Sequence, residues 1–421
     1  MDKLAVMFPG QGIQYVEMGK NFYEKYDISK KTYEEANEVT GKNISKLCFE
    51  GSFSVLNDFI NMQLCIVTTE IAMYRAYIEE YGVLPQFAIG HSIGEYAAFV
   101  AAGAIKFEDV LRILVKRGEL IKDSQAYQQG RMDIVENISE ERLNEILLRE
   151  EGRVHISCFN SERQFAISDY NEKLDILEKI LDAEGAKVTA LFTSPPMHSV
   201  LLNEIAEEFY AFLKEFNYYP FLYPVMTNVN GCAFSNTDEI SNVLTKQLYS
   251  PVKFSQALKK LPLYGIELTI EMSPKILLTN FISSNYKIKK ELCYGVTKDR
   301  VALAETFQKE ENYVKDIPDF IGQSLAILAS CENRNNSNDT DIIEIYTRIR
   351  EWYIAFKEGK WKKNKDIYEE IYDEVIRALY LKGFVAHEIK SITKGILDMT
   401  NMQYQLKDKW EKIEEVGNRL K

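Results

Sequence analysis

Apolar residues near the start of the 421-residue chain gather in short unbroken runs. Residues 4–8 (LAVMF) form one run, stopped by Pro9-Gly10. Residues 84–89 (LPQFAI) form a second, which leads straight into Gly90-His91-Ser92-Ile93-Gly94. Runs of this length, ended by Pro or Gly, predict buried strands that stop in tight loops. The rhythm then turns helical. Residues 95–104 (EYAAFVAAGA) are Ala-rich, and 107–123 repeat apolar residues at Val110, Leu111, Leu114 and Val115, with Arg117 beyond them on the same helix. Strands alternating with helices predict an α/β fold with a largely parallel sheet.

From about 130 to 192 the texture changes. Short strands are expected at 132–135, 154–159, 165–168 and 187–191, with charged helices at 139–149 and 172–183 between them. That β-α-β-β-α-β order is the ferredoxin-like pattern, so 130–192 reads as a small subdomain inserted in a larger unit. A helix at 200–216 and strands at 223–227 and 268–271 then resume the large subdomain, expected to span 1–129 and 193–315. Residues 330–341 (SCENRNNSNDTD) hold no apolar side chain except Cys331 and read as a polar linker. Beyond it, Ile342, Ile345, Tyr346, Ile349, Trp352, Tyr353 and Phe356 follow helical spacing, as do Ile367, Ile371, Tyr372, Val375, Ile376 and Leu379. Residues 342–421 are therefore expected to form a separate helical extension.

Composition narrows the function classes. The 51 Lys+Arg against 63 Asp+Glu give a net charge of −12, which argues against nucleic acid or an anionic membrane as main partner. The first apolar run is too short for a secretory signal, and no window approaches the roughly 18–20 apolar residues of a membrane span. A cytoplasmic protein is expected. Six scattered Cys without a CxxC pair, and only four His, predict reduced thiols and no metal site.

The strongest chemical signal is GHSIG at 90–94, a G-x-S-x-G match between an apolar strand and an Ala-rich helix. A Ser on such a turn is forced outwards, and the two Gly remove Cβ atoms that would collide there. The following helix aims its free N–H groups at any anion formed beside Ser92. A hydroxyl nucleophile needs a base. His91 adjoins Ser92 on a turn expected to point it elsewhere, His155 lies in a strand and His387 in the tail. Elimination leaves His198, behind the rigid Pro195-Pro196 approach.

Phe8-Pro9-Gly10-Gln11-Gly12, Gln63, GHSIG, Lys116-Arg117-Gly118, Asn160, the His198 segment and Gln247-Leu248-Tyr249-Ser250-Pro251-Val252 occur in that order. Together they resemble the malonyl-CoA:acyl carrier protein transacylases and the acyltransferase domains of polyketide synthases, over about residues 1–310. The nearest analogy is the discrete acyltransferase that serves a trans-acyltransferase polyketide synthase, since FPGQG stands almost at the first residue; the alternatives are a hydrolase of carrier-bound acyl thioesters and a housekeeping fatty-acid malonyl transacylase. The architecture this implies is an α/β-hydrolase-like large subdomain with the ferredoxin-like insertion, the site between them.

The resemblance assigns roles to residues. Ser92 attacks the thioester of malonyl-CoA, His198 takes its proton, and the N–H groups of Gln11 and Ile93 hold the oxyanion. The carbonyl of Gln247 orients the His198 ring. Arg117 grips the free malonyl carboxylate, which a plain acetyl group lacks. Gln63, His91 and Met197 complete the expected substrate set, Met197 crowding any α-methyl group, and Asn160 supports it. No cofactor beyond the CoA thioester is implied, and the acyl acceptor is the phosphopantetheine thiol of an acyl carrier protein. One departure is Glu271-Met272-Ser273-Pro274-Lys275 in place of E-x-G-P-G, which puts the geometry of that turn in doubt. The tail is extra to the family. It holds 16 Lys/Arg against 14 Asp/Glu, with Lys357, Lys360, Lys362, Lys363 and Lys365 clustered around Trp361. A basic cluster there would suit an acidic carrier protein or another synthase subunit. A faint helix-turn-helix likeness at 381–393 comes with too little positive charge for DNA.

Overall fold

The computed structural model describes residues 3–149, 154–282, 286–309, 317–335, 339–358, 365–399 and a few beyond. They fall into two compact units, one of Met1–Glu80 with Pro85–Glu305, the other of Tyr81–Leu84 with Thr306–Lys421.

Strands of the first unit, in chain order, are β1 (Lys3–Phe8), β2 (Phe87–Gly90), β3 (Gly130–Glu136), β4 (His155–Phe159), β5 (Gln164–Tyr170), β6 (Lys187–Leu191), β7 (Val225–Met226), β8 (Ala233–Phe234), β9 (Ile266–Glu271) and β10 (Lys290–Cys293). The larger sheet runs β10-β9-β1-β2-β7-β8. All its pairings are parallel except the last, β7 with β8. Its centre is the predicted apolar run, with Leu4, Ala5, Val6, Met7 and Phe8 wholly buried. Burial along nearly their whole length explains why β1 and β2 read as unbroken apolar runs. Helix Phe59–Tyr81 is buried over most of its length, with Gln63, Thr68, Thr69 and Glu70 among its buried residues.

The smaller sheet runs β4-β5-β3-β6, all antiparallel. Helices Glu140–Arg149 and Asn171–Ala183 close the separate core of this part, around Val135, Leu143, Ile167 and Leu174. This is the ferredoxin-like order expected at 130–192. At 200–216 the chain differs from expectation: a tight 3-10 turn at Val200–Ile205 precedes the α-helix Ala206–Leu213.

The second unit is a helical bundle of Ile317–Ser330, Asp339–Lys357, Lys365–Leu381 and Ala386–Met399. Phe320, Ile345, Ile349, Ile371, Val375, Ile376, Leu379, Ile389 and Ile396 form its core. Here the sequence reading of boundaries is corrected. Helix Ile317–Ser330 contributes Phe320 and Ile321 to that core, so the helical unit starts well before 342. The polar stretch at 330–341 is a connection between two helices of one bundle. Its backbone is anchored where Arg334 N–H donates to the Lys382 carbonyl at 2.9 Å, and the Arg334 side chain pairs with Glu388. At 381–393 the chain passes from helix Lys365–Leu381 through a short turn into helix Ala386–Met399, the arrangement behind the faint helix-turn-helix likeness. Of the lysine cluster, Lys360, Trp361, Lys362 and Lys363 lie outside the described residues, as do the side chains of Lys357 and Lys365. No helix among the described residues is long and apolar enough to cross a membrane.

Candidate active site

Strand β2 ends at Gly90 and helix Gly94–Ala101 starts four residues later, which leaves a very sharp turn for Ser92. Its backbone is left-handed, at φ 53°. A Cβ on Gly94 would sit 2.0 Å from the Phe8 carbonyl oxygen, and one on Gly90 would sit 2.1 Å from the Glu95 nitrogen. A Cβ on Gly10 would lie 2.6 Å from the His91 carbonyl oxygen. The Pro9-Gly10 loop and the serine turn thus interlock at distances only glycine permits.

His198 follows Pro195-Pro196 and is also left-handed, at φ 58°. Its Nε2 lies 2.7 Å from Ser92 Oγ, and its Nδ1 lies 2.7 Å from the Gln247 carbonyl oxygen. A carbonyl only accepts, so Nδ1 carries the hydrogen and Nε2 is left as acceptor for the serine hydroxyl. Burial, then the nearby Arg117 cation, lowers the His198 pKa to about 3. The ring is neutral at ordinary pH.

Behind this pair lies a hydrogen-bonded hub that sequence spacing does not reveal. Gln247 Nε2 donates to the Ser92 carbonyl (2.9 Å) and to Glu95 Oε2 (2.7 Å). Asn228 N–H donates to Glu95 Oε1 (2.8 Å), while Asn228 Oδ1 accepts from Ser92 N–H (2.7 Å). Asn228 Nδ2 donates to the Gly90 carbonyl at 2.7 Å. Glu95 is fully buried, and burial raises its pKa to about 7. In the sequence Glu95 looks like an ordinary acid in the first turn of a helix. Asn228 sits in a turn with no local signal at all.

Arg117 comes from helix Phe107–Asp123 and is 2% exposed. Its Nη1 donates to Gln63 Oε1, and its guanidinium lies 5.6 Å from the Tyr96 ring centroid. Gln63 is held in turn by its Nε2 donating to the Phe59 carbonyl at 2.9 Å. Arg117 Nε has no partner, and no carboxylate pairs with the guanidinium among the described residues. Burial lowers the Arg117 pKa, but a guanidinium stays charged.

The N–H groups of Gln11 and Ile93 meet no acceptor among the described residues. The Gln11 side chain accepts from Ser194 Oγ at 3.1 Å. Met197 is buried directly before His198. His91 and Asn160 are brought to each other, with His91 Nε2 2.7 Å from Asn160 Oδ1 and the His91 ring against Phe254. The turn that departs from E-x-G-P-G is closed by its own hydrogen bond. Ser273 Oγ donates to the Lys275 carbonyl at 2.6 Å, and neither residue needs a positive φ. Glu271 still accepts from the N–H groups of Leu277, Leu278 and Thr279.

Comparison with known proteins identifies the family. The acyl transferase domain family matches residues 6–318. A malonyl CoA-acyl carrier protein transacylase of Bacillus subtilis (strain 168) is 33% identical over 316 residues, 74% of this chain and 99% of that protein. The crystal structure of the transacylase of that name from Clostridium perfringens superposes with a TM-score of 0.69 at 30% identity, covering 74% of this chain and 99% of that one. A type II PKS acyl-carrier protein in complex with its malonyl-transacylase matches at a TM-score of 0.68 and 26% identity, over 72% of this chain and 99% of that one. Residues 6–318 hold every group described above, and through them the chain belongs to the acyl transferase domain family.

Proposed function

We propose that this chain transfers a malonyl group from malonyl-CoA to the phosphopantetheine thiol of an acyl carrier protein, by a ping-pong reaction on Ser92. The observation that carries the reading is a buried, carboxylate-free Arg117 close enough to depress the His198 pKa, with His198 bonded to Ser92. A buried cation without a counter-charge is costly unless a ligand supplies one. The free carboxylate of a malonyl group supplies it, and an acetyl group does not.

In the first half-reaction Ser92 Oγ attacks the thioester carbonyl carbon as its proton passes to His198 Nε2. The oxyanion is held by Gln11 and Ile93 N–H, each such donor being worth about 2.7–4 kcal/mol of barrier. The C–S bond breaks and the CoA sulfur takes the proton from His198. In the second half the carrier thiol gives its proton to His198 and attacks the malonyl ester. The C–O bond to Ser92 breaks, and Ser92 Oγ recovers the proton. Met197, packed before His198, disfavours an α-methyl group.

The pathway we assign is polyketide assembly, with the enzyme supplying its synthase in trans. A malonyl-transacylase solved with a type II PKS acyl-carrier protein is among the similar structures, which supports this reading. The lysines around Trp361 offer an acidic carrier or synthase subunit a positive contact.

Incubation with labelled malonyl-, methylmalonyl- and acetyl-CoA, with and without carrier proteins of both pathways, tests the reading by intact mass. Malonyl on Ser92 that moves to a polyketide carrier is expected. Free malonate without transfer would instead indicate a thioester hydrolase, and preference for the fatty-acid carrier a housekeeping role.

A further inference from the structure

We infer that Glu95 is a positioning residue for acyl transfer, holding Ser92 and His198 in mutual register through Asn228 and Gln247. The inference rests on the reading of Ser92 and His198 as the acyl-transfer pair.

The argument begins with what a left-handed serine needs. At φ 53° Ser92 occupies a backbone region that L-residues leave unless the surroundings fix them. Two side chains fix it here. Asn228 Oδ1 takes its N–H and Gln247 Nε2 meets its carbonyl, at 2.7 and 2.9 Å. Both clamping residues terminate on the same carboxyl: Asn228 N–H on Glu95 Oε1 and Gln247 Nε2 on Glu95 Oε2, at 2.8 and 2.7 Å. Gln247 also carries the carbonyl that fixes the His198 ring. One carboxyl therefore sets the nucleophile from both sides and, through the Gln247 residue, the base.

The chemistry of the hub explains why an acid stands there. Each Glu95 oxygen faces an N–H donor, so the position requires two acceptors, which a carboxylate provides and a carboxamide does not. Glu95 is wholly buried and has no Lys or Arg ion pair among the described residues. Burying an acid without a cation is unfavourable, and a purely structural core position would be served by an apolar side chain.

The test compares Glu95→Gln, Gln247→Ala and the double variant with the unaltered chain, reading the rate of Ser92 malonylation by rapid-quench intact mass. Glu95→Gln is nearly isosteric but sets an N–H₂ against an N–H donor on one arm. Gln247→Ala removes one arm and keeps the backbone carbonyl on His198. Each single variant is expected to slow malonylation by about 100-fold, the cost of a misplacement of about 1 Å. Malonyl-CoA affinity, measured in a Ser92→Ala background, should change less than about twofold, because the loss arises in positioning. The double variant should be no slower than the slower single one, since both cut one link.

Malonylation at the unaltered rate in Glu95→Gln overturns the inference. So does additive loss in the double variant, or a loss wholly explained by weaker binding. If Glu95→Gln fails to fold, Gln247→Ala decides alone: full rate overturns, slowed rate with retained affinity supports. An adduct that persists in Ser92→Ala would instead overturn the nucleophile itself, a separate failure from that of Glu95.

Discussion

At the scale of single residues, Arg117 and His198 form a coupled pair of opposite tendencies. The cation disfavours a second positive charge nearby, so it helps hold the imidazole neutral. A diacid that pairs with the guanidinium cancels that field and makes His198 a better base at the moment it is needed. Arg117→Ala should therefore raise the His198 pKa, though burial keeps it below an ordinary histidine. The sign follows directly: with the positive neighbour gone, the imidazolium forms at higher pH, and the acid limb of the malonylation rate moves up in pH. The same variant should lower malonyl-over-acetyl preference by about 100-fold or more, read as a ratio of kcat/KM. A smaller effect belongs to Ser273, whose hydroxyl now closes a turn that usually relies on Gly. Ser273→Ala should cost about 1 kcal/mol in denaturant unfolding, the net worth of one hydrogen bond.

At the scale of elements, the decisive piece is a strand, a three-residue turn and a helix crossed by a second loop. Gly94→Ala would drive a Cβ to 2.0 Å from the Phe8 carbonyl oxygen. The expected loss is about 3 kcal/mol or more, visible as a lowered Tm together with lost Ser92 labelling. This piece was legible in the sequence because its causes are local: an apolar run, two glycines and an Ala-rich start of helix. The antiparallel insertion was legible for the same reason, its strands and helices alternating within about sixty residues. The proposed role of Arg117 as an anion partner came only through family resemblance, since helical spacing alone makes it one more charged residue. Asn228 and Glu95 escaped because their meaning lies in contacts across 133 residues of chain. The start of the helical unit escaped too. Helix Ile317–Ser330 precedes the polar stretch, and polarity alone marks a loop without telling which units it joins.

At the scale of the whole molecule, the family match ends near residue 318 while a second unit with its own core follows. That core is close-packed enough for ordinary truncation costs: Ile376→Ala, at a wholly buried site, should cost about 2–5 kcal/mol in thermal or chemical unfolding. The charge of the tail carries a different expectation. Replacing Lys360, Lys362 and Lys363 by Gln should slow malonyl transfer to an acidic carrier at low salt, with the effect fading as salt rises. Self-malonylation from malonyl-CoA serves as the internal control and should hold its rate. Equal transfer rates at low salt would remove the tail from carrier recognition.

The buried guanidinium of Arg117 also bears on how the protein should be stored and screened. A cation sealed from water attracts small dicarboxylates even when they carry no thioester, and whatever binds the native form alone delays melting. Free malonate should accordingly lift the melting point of the resting protein more than acetate at matched ionic strength. That gap should vanish in Arg117→Ala, which offers a dye-based assay for inhibitors that needs neither CoA nor carrier.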